Sequence, residues 1–324
     1  MRMGTQRPPV DPRRATPHLA DMQQSTTDLD RALGFAIPSR SARGRVVRLG
    51  PALDSVLAAH AYPPAIEALL AEALTLAALI GSTLKDPSGQ LTMQTRTENG
   101  VVRLLVCDYR GGEVRGYIDY DADKFAEMPE KPTLFALFGQ GYLAITFDLA
   151  TTGERYQGIV PLDGDTLAQA AESYFVQSEQ IPSLVSVGIA RDGDGHTVAG
   201  GLFLQHLPEG EVGRERLHTR LDHPEWEHVE ALGRTMGVDE LADPALPLET
   251  LVWRLFNEEE EVRALASTPL SRGCRCTGDY IASVLAKFTP EERREMADEN
   301  GLIQVDCAFC ATKFPIPADA AAVA

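Results

Sequence analysis

The chain is short of positive charge. Against 47 Asp and Glu it carries 30 Lys and Arg in 324 residues, a formal net charge of −17. Most of such a surface repels a phosphate backbone or an anionic lipid, so neither a nucleic acid nor a membrane is the expected partner. No apolar run approaches 18 residues, so no membrane span is expected. The start, "MRMGTQRPPVDPRRATPHLADMQQSTTDLDR", lacks the apolar segment of a secretory signal. Its arginines suit an organelle transit peptide, but its acids and prolines suit a plain disordered extension, placed at residues 1–38, and a cytoplasmic protein. Catalytic patterns are missing too: there is no G-x-S-x-G elbow, P-loop or H-E-x-x-H. Glu172, Ser178 and Glu179 around one helix, with Lys85 after another, form no such pattern, and the expectation is a non-enzyme. His218, His223 and His228 stand at spacing five without matching ligand partners and read as surface residues.

What is present indicates an α+β fold. Apolar residues make up 44% and charged residues 24%, enough for a large core and more than one unit. The expected layout is a mixed α/β domain with an antiparallel sheet over 39–207, a helical acidic connector over 208–266, a small four-cysteine zinc domain over 267–318 and a tail over 319–324. In the first domain, Ile66, Leu69, Leu70, Ala73, Leu76, Ala77 and Ile80 follow the spacing of an amphipathic helix over 65–84. Asn99-Gly100 and Gly111-Gly112 are type I′ hairpin signals, because both central residues need positive φ. They imply a three-strand meander, with further strands at "GYLAITFDLA" and "RYQGIVPL". Asp165 is placed to cap a helix carrying Leu167, Ala171, Tyr174 and Phe175. A turn is expected at 192–195.

After Pro208 the texture changes. Residues 209–263 hold 15 acidic side chains against 6 Lys and Arg. Trp226, Val229 and Leu232, then Leu251, Val252, Leu255 and Phe256, are spaced as helix faces, and "NEEEE" at 257–261 is assigned to the second helix. Solvated helices joining two domains explain this charge; so does a connector kept marginal by self-repulsion. Further on, Thr289-Pro290-Glu291-Glu292 is a capping box with proline at the first helical position. Ile281, Val284, Leu285 and Phe288 form another helix, and "GLIQVDCAFCATKFPI" alternates as a hairpin.

Only five cysteines occur, and four fall in this last unit. Cys274 and Cys276 form C-x-C; Cys307 and Cys310 form C-x-x-C. Zinc needs four ligands at tetrahedral corners, and each short spacing supplies two adjacent corners. No histidine lies between 271 and 324, so one zinc ion per chain on four cysteines is the economical assignment. A unit of about 50 residues also needs such a cross-link, because its own core is too small. Permanent disulfides suit an oxidising compartment, thioredoxin-like chemistry a single C-x-x-C, and the spacing matches no common iron–sulfur run. Cys107, in "LLVCDY", reads as a core residue. A bond between cysteines one residue apart closes a small, strained ring and is readily reduced. Zinc keeps thiols as thiolates, and Arg275 between them is expected to favour the anion. The site therefore reads either as purely structural or as a switch that trades zinc for two local disulfides. A zinc-ribbon nucleic-acid module remains an alternative class, though the unit lacks a basic patch.

The sequence resembles the heat shock protein 33 family of bacterial redox-regulated holdase chaperones. The cysteine pattern, "GSTLKDPSGQLTMQT", "VRGYI", "RYQGIVPL", "YFVQSEQIPS", "AGGLFLQHLP" and "LVWRLFNEEE" carry the resemblance from about residue 44 to 316. It implies zinc on Cys274, Cys276, Cys307 and Cys310 in the reduced state. On oxidation it implies disulfides Cys274–Cys276 and Cys307–Cys310, the second pair responding first, and release of zinc. The connector then loosens, and a homodimer holds unfolded client proteins without ATP. Candidate client-binding groups uncovered in the connector are Trp226, Leu251, Val252, Leu255 and Phe256. Thr277-Gly278-Asp279 follows the C-x-C where the family often has Ser and a charged run, and the N-terminal extension has no family counterpart.

Overall fold

In the computed structural model, which describes residues 29–207 and 223–319, the chain builds two large sheets around one long helix. Strands β1 (Arg31–Ile37) and β2 (Ala42–Leu49) form a hairpin, and α1 (Pro51–Leu57) and α2 (Pro64–Gly81) follow, each opening on a proline. Strands β3 (Gln90–Thr97), β4 (Val102–Arg110) and β5 (Glu113–Tyr120) are the meander. Short helices α3 (Ala122–Ala126) and α4 (Leu134–Phe138) lead to the hairpin of β6 (Gly141–Leu149) and β7 (Glu154–Pro161). Helix α5 (Leu167–Tyr174) precedes another hairpin, β8 (Ser183–Arg191) and β9 (Thr197–His206). From residue 223 come α6 (Pro224–Gly233), α7 (Val238–Ala242) and α8 (Leu248–Phe256). Three two-residue strands, β10 (Arg263–Ala264), β11 (Thr268–Pro269) and β12 (Ser271–Arg272), lead to α9 (Gly278–Leu285), α10 (Pro290–Met296) and the hairpin β13 (Leu302–Asp306) and β14 (Lys313–Pro317).

The first sheet runs β10-β1-β2-β9-β8, with β11 also on β1; the second runs β12-β5-β4-β3-β6-β7. All pairings are antiparallel except β12 on β5. Helix α2 lies between the sheets, and Ile66, Leu70, Ala73, Leu76, Leu79 and Ile80 are fully buried in a core drawn from both. The expected amphipathic helix is thus corrected: α2 is apolar nearly all round because both its sides are covered. By length and composition it could cross a bilayer, but most of it is buried inside the fold.

A second core covers the other face of the first sheet. Leu33, Phe35, Ile37, Val46, Leu184, Leu202 and Leu204 pack against Trp226, Val229, Leu248, Leu251, Val252, Leu255 and Phe256. This explains why every residue of β9, "TVAGGLFLQH", is buried: cores lie on both its faces. Gly188 and Gly200 admit α7 to the sheet, since a Cβ on either would sit 1.9 Å from the carbonyl oxygen of Val238 or Leu241. Arg48, the largest fully buried side chain, completes the contact: its guanidinium donates to the carbonyls of Leu241 (3.0 Å), Leu246 (2.5 Å) and Glu240 (3.2 Å).

Four local expectations change. The disordered extension assigned to 1–38 fails over its last residues, because "RALGFAI" pairs with β2 along its whole length as β1; residues 1–28 lie outside the described residues. Gly111-Gly112 makes the turn expected of it, at φ 56° and 92°, but Asn99-Gly100 does not adopt positive φ. Residues 98–101 form a longer connection, with a bulge after Val102 and Gly100 pressed on the Phe138 carbonyl. The cap of α5 is Thr166, whose hydroxyl accepts from the Gln169 N–H, not Asp165. Finally, α8 ends at Phe256, so "NEEEE" follows the helix instead of lying on it.

Candidate metal centre

Two local structures bring the cysteines together. Thr277 caps α9, its hydroxyl accepting from the Tyr280 N–H at 3.1 Å, which sets the loop carrying Cys274 and Cys276 at that helix start. Cys307 and Cys310 form the bend of the β13–β14 hairpin. The bend is closed by Ala311 N–H to the Cys307 carbonyl at 2.8 Å, with Ala311 itself at φ 54°. The sulfurs stand 3.2 Å apart for Cys274–Cys276, 3.7 Å for Cys274–Cys307 and 3.4 Å for Cys276–Cys310. All four lie within 4.8 Å of one another, and none is bonded to another. A tetrahedral ion with thiolate bonds of about 2.3 Å needs sulfurs roughly 3.8 Å apart. The donor set fits a metal ion.

The unit around the centre is thin. Its core consists of Ile281, Leu285, Ile303, Ile316 and Ala318. Val284 and Phe288, expected on the same apolar face, remain substantially exposed. Burial and the neighbouring thiols push the Cys276 thiol well up, and burial also raises Cys307. Cys310 goes the other way: burial would raise it, but hydrogen bonds from Thr312 and the adjacent cysteines outweigh this and bring it to about 6. Cys310 is therefore the most readily ionised of these three.

The residues between the ligands dock the centre on the second sheet. Arg275 donates to Gln90 Oε1 at 2.8 Å and lies 3.6 Å from the Asp108 carboxylate. The expectation that it favours the neighbouring thiolates is corrected: its guanidinium is turned to the sheet. Asp108 also accepts from Arg115 at 2.6 Å and from Thr92 at 2.8 Å. The Arg115 guanidinium lies 4.0 Å over the ring of Phe309, the third residue of the C-x-x-C motif, and Tyr117 meets that ring edge-on. His60 Nε2 sits 3.4 Å from the Phe309 carbonyl. One sequence signal for this dock was available: Gln90, Thr92, Asp108 and Arg115 are polar residues recurring on one face of a meander.

The five connector residues proposed for clients come together in the second core, all buried: Trp226, Leu251, Val252, Leu255 and Phe256. The connector's acids are not simply solvated. Arg40 bonds Glu225 at 2.5 Å and Glu259 at 2.8 Å, His228 bonds Glu259 at 2.7 Å, and Arg31 pairs with Glu249. Sequence reasoning missed Arg40 and Arg48. Strand alternation could have found the latter, since Arg48 shares the face of Val46 while Val47 and Leu49 point to the first core. The histidines form no common site: His223 caps α6, His228 pairs as above, and His218 lies outside the described residues. Glu172 accepts from the Val185 N–H and Glu179 from the Tyr174 hydroxyl. Cys107 is fully buried, and burial pushes its thiol up.

The model of the Hsp33 protein family matches residues 30–317. The chain belongs to the Hsp33 family. A 33 kDa chaperonin of Caulobacter vibrioides is 42% identical over 300 residues, covering 90% of this chain and 96% of the relative. One from Vibrio cholerae is 31% identical over 274 residues, covering 85% and 88%. The crystal structure of the 33 kDa chaperonin of Thermotoga maritima, a heat shock protein 33 homolog, shares the fold with a TM-score of 0.73 at 24% identity, over 90% of this chain and 96% of that one. Hsp33 membership makes this chain a chaperone, and the α+β fold with its four-cysteine cluster agrees with it.

Proposed function

We propose that this chaperone is an ATP-independent holdase of the cytoplasm, switched on by oxidation. Cys274, Cys276, Cys307 and Cys310 would hold one zinc ion in the reduced state. Bound there, zinc supplies the cross-link that the unit's small core lacks and keeps the sulfurs as thiolates. The observation that carries the reading is the pairing of the donors: each short motif supplies two sulfurs, so each can close on itself. Per pair, hydrogen peroxide takes two electrons from the two thiolates and, with two protons from solvent, leaves as two waters, so that Cys307–Cys310 or Cys274–Cys276 is bonded. Once both pairs are bonded, no thiolate remains to hold an ion, and only the small core of Ile281, Leu285, Ile303, Ile316 and Ala318 joins the two halves.

The unit then loses its fold, and the dock of Arg275 and Phe309 goes with it. The connector over 208–266 loosens next, uncovering Trp226, Leu251, Val252, Leu255 and Phe256 for unfolded clients, and the active form pairs as a homodimer. A net charge of −17 supports protein clients over nucleic acid. To test this, zinc-loaded protein is treated with peroxide at raised temperature while zinc release, free thiols and client aggregation are followed together. Zinc release with disulfide formation but no gain in holdase activity would sink the reading.

A further inference from the structure

Residues 263–273 link α8 to the first metal-site cysteine, and they lie along the edges of both sheets. On the first sheet, Arg263 and Ala264 pair with Ala36 and Phe35, and Thr268 and Pro269 with Ala32 and Arg31. Leu265 N–H donates to the Gly34 carbonyl, and Leu270 N–H to that of Asp30, both at 2.7 Å. The strap then crosses to the second sheet, where Ser271 N–H donates to the Gly112 carbonyl and Gly273 N–H to that of Val114, both at 3.0 Å. Gly273 directly precedes Cys274. Further along β5 the edge is closed differently: the Tyr62 hydroxyl accepts from the Ile118 N–H and donates to its carbonyl, each at 2.9 Å. Only the stretch near 112–116 depends on the strap.

We propose that this strap is a removable guard, and that the edges it covers on β1 and on β5 near 112–116 accept extended segments of unfolding clients by strand addition. This rests on the holdase reading above. Three observations point to that occupant. The guard is itself an extended chain, and it meets the edges through the backbone bonds described, a mode of recognition indifferent to side-chain identity. The edge beneath, "RALGFAI", is apolar, the kind of strand that pairs with other chains when left open. And the guard is tethered one residue from a cysteine of the metal centre, so a change there reaches both edges.

Hydrogen exchange resolved to single amides tests this on the full-length protein. By strand alternation and register, the outward amides that pair with the strap are Ala32 and Ala36 on β1 and Val114 on β5. They should be protected in the zinc-loaded reduced protein, lose protection on oxidation, and regain it when a reduced, carboxymethylated small protein is added as a non-refolding probe. In the reduced state, Leu265→Pro removes the donor to Gly34 at an exposed side chain. It should speed exchange at Ala32 and Ala36 about threefold to tenfold, the factor that loss of one net hydrogen bond implies. The proposal is overturned if oxidised protein holds the probe while these amides stay unprotected, a result that leaves the holdase reading standing. Protection that returns with protein concentration alone would assign the edges to a second copy and overturn the client. If oxidised protein holds no probe at all, both readings fall.

Discussion

The two large cores are closed by different means. The first is built from two sheets facing the 18-residue helix α2, and its strand members come from long paired strands. The second has one sheet face covered by three helices of 10, 5 and 9 residues. These helices are held by the charge-assisted bonds of Arg48, Arg40 and Arg31, and they end in the strap and the metal unit. Helices so short have little stability of their own and depend on tertiary packing. The difference marks where the proposed switch would open the molecule: the second core would separate from the sheet while the first persists, as sub-global unfolding allows.

The largest effect should come from Cys310→Ser. Structural zinc contributes on the order of 10–16 kcal/mol in small units. Loss of one ligand should therefore abolish metal binding and unfold 274–318, seen as lost zinc content and lost amide protection there. The unfolding transition of the first core should stay in place; if both transitions moved together, the separation argued here would fail.

Next is Arg48→Met. It strands the carbonyls of Glu240, Leu241 and Leu246 beneath the connector and should destabilise that layer by about 3 kcal/mol. Limited proteolysis of the reduced protein should cut within 223–262 much faster, leaving the first domain intact.

Of comparable size is the pH response, which should run in opposite directions in the two regions. Burial lifts Glu72, on α2, from the ordinary carboxylate value to about 7, although it accepts the Ala168 N–H. A raised folded value means its contribution is full at low pH and is lost as pH rises through about 7, at most about 3 kcal/mol. Arg40 holds Glu225 below its ordinary value; for Glu259, Arg40 and His228 outweigh burial and do the same. Their contribution is present above the ordinary carboxylate value and disappears as pH falls through their lowered ones. Exchange-detected unfolding of each region from pH 3 to 8 should show the two slopes, and Glu72→Gln should flatten the first alone.

Arg275→Ala is the smallest, about 1 kcal/mol for the bond to Gln90 and the looser pairing with Asp108. Zinc content should be unchanged, while amides near Gln90 and Val114 exchange faster. Slower exchange there, or no change, would remove Arg275 from the dock.

Much of the layout was legible. The meander, the three later hairpins, the capping box at Thr289 and the helix faces of Trp226 and Leu251 follow from local spacing, which a strand or helix obeys wherever it packs. Errors fell where a neighbour in space decided. Gly100 is shaped by Phe138, and α2 loses its polar face because a second sheet covers it. Arg275 turns away from its cysteines because Asp108 and Gln90 lie within reach. Composition places residues 31–38 in a disordered extension, yet Arg31–Ile37 form β1 of the first sheet.

The sequence by itself determined the donor set. Four cysteines at these spacings, with no histidine near, are a property of the covalent chain, because a ligand pair one or two residues apart is local geometry. It also set the order of the elements and the family. Only the tertiary structure decided that the client candidates form a core rather than a surface, that Arg48 and Arg40 hold the connector, and that one strap joins the metal centre to two sheet edges. Those contacts join residues far apart in sequence. They exist because apolar faces must find cover and buried backbone groups must find partners, and no local pattern records which ones they find.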